Sequence, residues 1–140
     1  RSNDHIKAAF KIIPIDKVKV HLFGASSFNT IIKWPLYSCD SSSWAQNNKY
    51  GFVLYWNLNK SGLNKTEKLF FLDKNSDCKR NDRQYWDKVP FKKDLEYFIS
   101  ELGVTYTNLM GHRALHYRQL LNAIYYLTIE DVITQYRLTH

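Results

Sequence analysis

The 140-residue chain has few of the residues that build metal sites and disulfide frameworks. Its two cysteines, Cys39 and Cys78, are too few for a Cys-rich zinc site, and a reducing, cytoplasmic compartment is expected. The absence of HExxH, Cys-x-x-Cys, P-loop and GxGxxG motifs argues against zincins, zinc fingers, NTPases and dinucleotide binders. No apolar run approaches the length of a membrane span, and the opening RSNDHIKAAF is not a signal peptide. We therefore predict no metal, no cofactor and no membrane partner.

Aromatic and basic side chains are abundant instead. Ten Tyr, eight Phe and four Trp, with an apolar content of 44%, indicate one ordinary globular domain with a real core. The formal net charge of +7 favours polyanionic partners such as nucleic acid. The composition is also rich in Lys and Asn, as AT-rich codon usage produces, so charge alone leaves nucleic-acid binding and compositional bias both open.

Residues 18–44 predict a short βαβ unit around which the rest of the chain is organised. Alternating apolar residues over 18–23 indicate a strand that ends at Gly24, and Ser26 or Ser27 can cap the helix that follows. Pro35 ends this helix, and residues 36–40 restart as a strand. So short a unit implies parallel strands, with Gly24 and Asp40 at their carboxyl ends, where α/β folds bind ligands.

The remaining segments predict helices and a hairpin. A first helix over 4–13 looks like the helix of a preceding βα unit whose strand is not in this chain, so the opening reads as a start in mid-fold. Residues 52–56 and 68–72 predict a hairpin, and Tyr85 and Trp86 are expected to anchor a charged loop onto the core. Later helices are expected over 91–102, 112–127 and 128–137. The core-facing residues expected on the second of these are Leu115, Leu120, Ile124 and Leu127.

Asp40 is the main candidate for chemistry, but its pattern has two interpretations. A carboxylate at a strand terminus on the ligand face can act as nucleophile, general base or cation clamp. The pattern alone favours the other interpretation, in which Asp40 and the surrounding serines cap a turn. Gly24 likewise fits a simple turn, and His21 fits an ordinary strand histidine. Three basic residues of a late helix fit either a phosphate-binding patch or one solvated helix face: Arg113, His116 and Arg118.

Three segments together resemble the C-terminal barrel region of the tRNA-guanine transglycosylase superfamily. They are HLFGAS at 21–26, YSCDSSSW at 37–44 and YGF at 50–52. The similarity is closest to the phage and genomic-island members that place 7-deazaguanines into DNA. It implies that Gly24 contacts the base through its backbone and that Asp40 attacks the ribose C1′ to displace guanine.

The resemblance also implies further substrate-binding residues. Gly51 matches the glycine after the eighth-strand loop, and aromatic rings near it can stack on an extruded base. Phage-like members carry an Arg and an Asn on a late helix, a weaker match. The set implied besides Gly24 is Ala25, Trp44, Tyr50, Gly51, Arg118 and Asn122.

The fold that the resemblance implies is α/β, the C-terminal part of a (β/α)8-type TIM barrel with a β-hairpin insertion and a helical C-terminal region. Residues 1–56 would form the barrel-like βαβ segment with the site, 57–89 the hairpin tip, return strand and charged loop, and 90–140 the helical region, in one compact domain. A complete barrel needs roughly 200 residues or more. Another polypeptide or a longer parent is therefore expected to supply the missing strands and the second catalytic Asp.

The expected function is part of a nucleic-acid base-exchange glycosyltransferase, a transglycosylase-like pentosyltransferase acting on DNA or tRNA in a bacterial host or a phage-infected cell. The tRNA enzymes carry a Cys-rich zinc site that this chain lacks, as expected of the DNA branch. The alternative is a noncatalytic basic protein associated with nucleic acid or a structural assembly. The two differ at Asp40. The enzyme needs it exposed in a pocket with another carboxylate nearby, whereas the binding protein permits it to be buried or to cap a turn.

Overall fold

The computed structural model describes residues 4–24, 26–40, 42, 45, 51–71, 82–110 and 113–140. The chain is a mixed α/β structure that divides into two compact units, Arg1–Ser41 and Ser42–His140. The first unit contains α1 (Asp4–Phe10), β1 (His21–Leu22), α2 (Phe28–Lys33) and β2 (Ser38–Cys39). The second contains β3 (Phe52–Trp56), β4 (Thr66–Phe70), a 3-10 helix (Trp86–Lys88), α3 (Lys92–Glu101), α4 (Tyr106–Met110) and α5 (Ala114–Thr139).

The predicted βαβ unit is confirmed in the first unit. β1 and β2 are parallel, with His21 opposite Ser38 and Leu22 opposite Cys39. Ser27 is the N-cap of α2, and its side chain accepts a hydrogen bond from the Thr30 N–H at 3.3 Å. The strands are much shorter than predicted. One cause is that the Leu36 N–H bonds locally to the Trp34 carbonyl at 2.8 Å and so does not extend the ladder toward residue 18.

The first helix is also shorter than predicted. α1 ends at Phe10 rather than at residue 13. The next residues turn away, with the Ile12 and Ile13 N–H groups both bonded to the Ala9 carbonyl at 3.0 Å. Beyond the helix, Ile13 is half-buried, whereas Ile12 is 84% exposed.

The predicted hairpin is confirmed in the second unit, with its return strand two residues earlier than expected. β3 and β4 are antiparallel, with Phe52 opposite Phe70 and Trp56 opposite Thr66. β3 pairs with β4 and also packs against α5. Tyr85 and Trp86 are buried, as predicted for anchors. The main core cluster consists of Val53, Leu69, Phe71, Trp86, Val89, Leu95, Ile99, Val104, Leu109 and Leu121.

The helical C-terminal region is confirmed, but its division into helices is not. Gly103, with φ of +70°, ends α3, and the Val104 N–H returns to the Ile99 carbonyl at 2.9 Å. α4 was not predicted. α5 runs for 26 residues through the expected boundary at Thr128, whose hydroxyl donates to the Ile124 carbonyl at 2.8 Å instead of capping a new helix.

The buried face of α5 also differs from the prediction. Leu115, Leu120 and Leu127 are 54%, 45% and 64% exposed. The buried stripe includes two polar residues, and this is why an apolar pattern pointed to the wrong side. That stripe consists of Ala114, Arg118, Leu121, Asn122, Tyr125, Ile129 and Ile133.

Two larger-scale expectations concern the barrel and the membrane. The described part of the chain forms two separate two-stranded sheets and no closed barrel, so the predicted barrel portion is not confirmed. Among the described helices, none combines the length and apolar character needed to cross a membrane.

Candidate functional site

The parallel pair β1–β2 presents three polar side chains on one face. His21 lies opposite Ser38 in the register, and Asp40 follows Ser38 by two residues, so the pleat directs all three to the same side. All three are exposed, whereas the alternate residues Leu22 and Cys39 are half-buried. The face that carries the predicted nucleophile is therefore the solvent face of this small sheet.

Asp40 is held by contacts from β1 and the turn after it. Its Oδ1 accepts a hydrogen bond from the Gly24 N–H at 3.0 Å, and its Oδ2 lies 3.5 Å from His21 Nε2. The Asp40 N–H bonds to the Leu22 carbonyl at 3.2 Å, which extends the ladder to the site. These contacts orient the carboxylate while its side chain stays 57% exposed. An oriented, accessible carboxylate can act as a nucleophile or a base.

His21 links Asp40 to Ser38. Its Nδ1 lies 2.8 Å from Ser38 Oγ, and its ring makes an edge contact with Phe23 at a centroid distance of 4.5 Å. The neutral Nε2–H tautomer satisfies both ring nitrogens, since Ser38 can then donate to Nδ1 while Nε2–H faces the carboxylate. The three side chains thus form one connected array, Ser38–His21–Asp40.

Gly24 is required by the backbone of this turn. Its φ is +69°, a region that side chains with a Cβ rarely adopt. An added Cβ would meet nothing within 4 Å, so the requirement is conformational rather than a lack of space. This conformation accompanies the donation of the Gly24 N–H to Asp40. The structure therefore brings together the two residues that the sequence singled out first.

The other predicted substrate-binding residues lie elsewhere. Ala25, Trp44 and Tyr50 lie outside the described residues. Gly51 and Arg118 are neighbours in the second unit, where a Cβ on Gly51 would lie 3.9 Å from Arg118 Nη1. Gly51 has φ of +76°, which again favours glycine.

Arg118 and Asn122 both serve the packing of α5. Arg118 is 9% exposed, its Nε donates to the Leu109 carbonyl at 2.9 Å, and its guanidinium lies over the Phe71 ring at 5.0 Å. Asn122 is fully buried and bonds to the backbone of β3. The basic patch considered for this helix is also divided, since Arg113 and His116 are exposed and Arg118 is not.

Sequence reasoning missed His21 and Ser38 as members of the site. Taken alone, each fits an ordinary strand residue. The signal that finds them is alternation combined with register, because Ser38 is two residues before Asp40 and β1 must place one of its outward residues beside them. For metal binding, the described ranges contain no group of three or more His, Cys, Asp or Glu side chains that could hold an ion.

The second unit has a groove of about 200 Å³ beside β3 and α5. Its residues are Leu54, Tyr55, Trp56, Leu58, Phe98, Leu121, Ile124, Tyr125 and Thr128. None of these side chains is an acid or base that titrates near neutral pH. Burial, and next the charge of Asp94, raises the pKa of Tyr55. The groove therefore offers apolar contact rather than acid–base chemistry.

Comparison with known proteins gives no relative for this arrangement. No family model matches the chain, and neither a curated protein nor a solved structure matches it. The array and the motif resemblance are therefore the observations that bear on function.

Proposed function

We propose that Asp40 is the nucleophile of a base-exchange glycosyl transfer on nucleic acid. In this proposal β1, α2 and β2 form part of a (β/α)8-type barrel that another polypeptide or a longer parent completes. The observation that carries it is the 3.0 Å hydrogen bond from the Gly24 N–H to Asp40. This contact supports the proposal because the motif resemblance assigns base binding to Gly24 and attack on the sugar to Asp40.

The reaction consists of two displacements at C1′. An Asp40 carboxylate oxygen attacks C1′ as the C1′–N9 bond to guanine breaks, and the departing guanine accepts a proton. The product is an ester between Asp40 and the sugar. A 7-deazaguanine then attacks C1′ through its ring nitrogen and loses a proton, the C1′–O bond to Asp40 breaks, and the free carboxylate returns.

His21 is a positioning residue in this scheme. An in-line displacement places the leaving base on the side of the sugar opposite Asp40, and His21 Nε2 lies only 3.5 Å from the attacking carboxylate. It is therefore on the wrong side to protonate the leaving base. That proton comes from a donor outside the array, which fits a pocket completed by other strands.

The test is capture of the ester. Full-length protein purified from its own source, together with anything that co-purifies, is incubated with guanine-containing DNA or tRNA without an incoming base, and is then denatured. Intact-mass and peptide analysis should show a nucleic-acid adduct at Asp40. Asp40→Asn should abolish the adduct. Asp16→Asn, which removes another exposed carboxylate of the same unit, should retain it.

Two outcomes would refute the proposal. An adduct that persists in Asp40→Asn would place the nucleophile elsewhere. A preparation that forms no adduct with DNA or tRNA, and that native mass spectrometry shows to be a lone 16.7 kDa species, would favour the noncatalytic alternative.

A further inference from the structure

The outward face of the β3–β4 hairpin combines aromatic rings with cations. Phe52 and Phe70 are directly opposite in the register, with ring centroids 5.4 Å apart. Lys68 Nζ lies 4.1 Å from the centroid of the Phe52 ring and 5.2 Å from that of Phe70. Arg83 Cζ lies 4.6 Å from the centroid of the Phe70 ring. We call these four residues the hairpin surface: Phe52, Lys68, Phe70 and Arg83.

None of these four residues belongs to the main core cluster, although the Phe70 ring also contacts that of buried Tyr85 at a centroid distance of 6.3 Å. The core side of the hairpin is formed by the alternate residues, including Val53 and Leu69, which are 1% and 0% exposed. Lys68 is exposed, and both rings with Arg83 are half-buried. Within the described residues neither cation forms an ion pair with a carboxylate. Both positive charges are thus held on ring faces.

We infer that the hairpin surface binds single-stranded nucleic acid. Rings that accept stacked bases, beside cations that contact phosphates, are what non-sequence-specific single-strand binding requires. A cation on a partly exposed ring is weakly held. Lys68 and Arg83 can therefore move to phosphates when a strand arrives, and this movement frees ring faces for bases.

The chemistry of the four residues favours a single strand over other polyanions. In a duplex the base faces are stacked on each other and cannot reach the rings. An acidic peptide could pair with the cations but would leave both rings without a stacking partner. The net charge of +7 adds a general attraction that every polyanion shares, so the rings are the discriminating element.

This inference extends the proposed function by naming a second contact with its nucleic acid, but it depends on binding alone. The probe is a fluorescein-labelled oligothymidylate titrated with the full chain and followed by anisotropy. The double variant Phe52→Leu/Phe70→Leu keeps apolar volume and removes both rings. It should bind about tenfold more weakly or worse, because loss of stacking on each ring weakens binding about fivefold or more and the variant removes two rings.

The cations are tested by salt dependence. Lys68→Gln and Arg83→Gln should each lower the slope of log affinity against log salt by about 0.7. Lys93→Gln removes the same charge from an exposed position on α3 and is the matched control. Unlabelled oligothymidylate should displace the labelled probe. Duplex DNA at the same phosphate concentration, or polyglutamate, should not displace it.

A measurement on the unaltered protein guards against misfolded variants. Photocrosslinking to an oligonucleotide that contains bromodeoxyuridine should label peptides with Phe52 or Phe70. Equal weakening by Lys93→Gln and Lys68→Gln, preference for duplex or polyglutamate, or crosslinks confined to other peptides would overturn the inference. Binding of the oligonucleotide without an Asp40 adduct would refute the proposed function and leave this inference standing. An Asp40 adduct without binding at Phe52 and Phe70 would refute this inference and leave the proposed function standing.

Discussion

Asn122 pairs with Leu54 as a neighbouring strand would. Its side-chain Oδ1 accepts the Leu54 N–H at 2.8 Å, while its Nδ2 approaches the Phe52 carbonyl at 3.4 Å. One carboxamide on α5 thus binds two outward backbone groups of β3. It satisfies polar groups on a strand edge that an apolar helix face would leave unpaired.

Replacing this side chain should therefore destabilise the second unit. Asn122→Ala leaves the Leu54 N–H and the Phe52 carbonyl without their partner, and we expect the free energy of unfolding to fall by about 2–4 kcal/mol. Urea unfolding followed by circular dichroism measures this change. Glu130→Ala, on the exposed side of the same helix, should change stability by less than about 0.5 kcal/mol. Similar values for the two variants would mean that the carboxamide contributes nothing.

The orientation of α5 gives a second prediction. Leu121 is 1% exposed and belongs to the core cluster, whereas Leu127 is 64% exposed. Leu121→Ala should cost about 2–5 kcal/mol because it leaves a cavity, and Leu127→Ala should be close to neutral. Thermal and urea unfolding of the pair compare identical chemistry at two positions of one helix. A larger loss for Leu127→Ala would support the orientation that the apolar pattern predicted.

Local patterns were enough to predict several elements. Ser27 as a cap, Gly103 as a helix end and the hairpin all depend on residues close together in sequence. The helix orientation was not predictable in this way, because Asn122 is buried only through a contact with β3, 68 positions away from its partner Leu54. Tertiary contacts of this kind override the apolar period.

The candidate site was predicted in part for the same reason. Gly24 and Asp40 follow from strand ends, which a sequence pattern reveals. The array with His21 and Ser38 follows from the register of two strands that are only two residues long. Register depends on the connection between the strands, which does not appear as a motif.

Stability at alkaline pH gives a third prediction. The pKa values of Tyr55, Tyr106 and Tyr125 are raised above 10.0, chiefly because burial disfavours the phenolate. The folded chain therefore holds these protons more tightly than the unfolded chain does. Stability is fully present below about pH 10 and should fall as the pH rises above it.

Tyr55→Phe should reduce this alkaline loss. The variant keeps the ring that stacks on Phe91 at 6.1 Å and packs near Phe98 at 5.2 Å, but removes the titrating hydroxyl. Urea unfolding over a pH series should show a shallower decline than in the parent protein. Tyr97→Phe removes a phenol that is 69% exposed and should leave the decline unchanged. An equal decline of stability with pH in Tyr55→Phe and Tyr97→Phe would contradict the attribution of the alkaline loss to the buried Tyr55 hydroxyl.

The tautomer of His21 gives the last prediction, and it tests the array without a substrate. With Ser38 Oγ 2.8 Å from Nδ1 and the Asp40 carboxylate 3.5 Å from Nε2, the neutral ring should carry its proton on Nε2. His140 provides the opposite case. Its Nδ1 lies 3.0 Å from the Tyr136 carbonyl, which only accepts. The Thr139 hydroxyl, 2.8 Å from Nδ1, can give its own proton to that carbonyl at 3.1 Å, so we assign the ring proton to Nδ1.

Nitrogen-15 NMR at a pH where imidazole is neutral should therefore report opposite tautomers for these two histidines. Asp40→Asn should weaken the preference at His21 and leave His140 unchanged, because only the first ring faces that carboxylate. If His21 carried its proton on Nδ1, an Nε2 lone pair would face the carboxylate and repel it. Asp40 would then be held by Gly24 alone, and His21 would lose its role in orienting the proposed nucleophile.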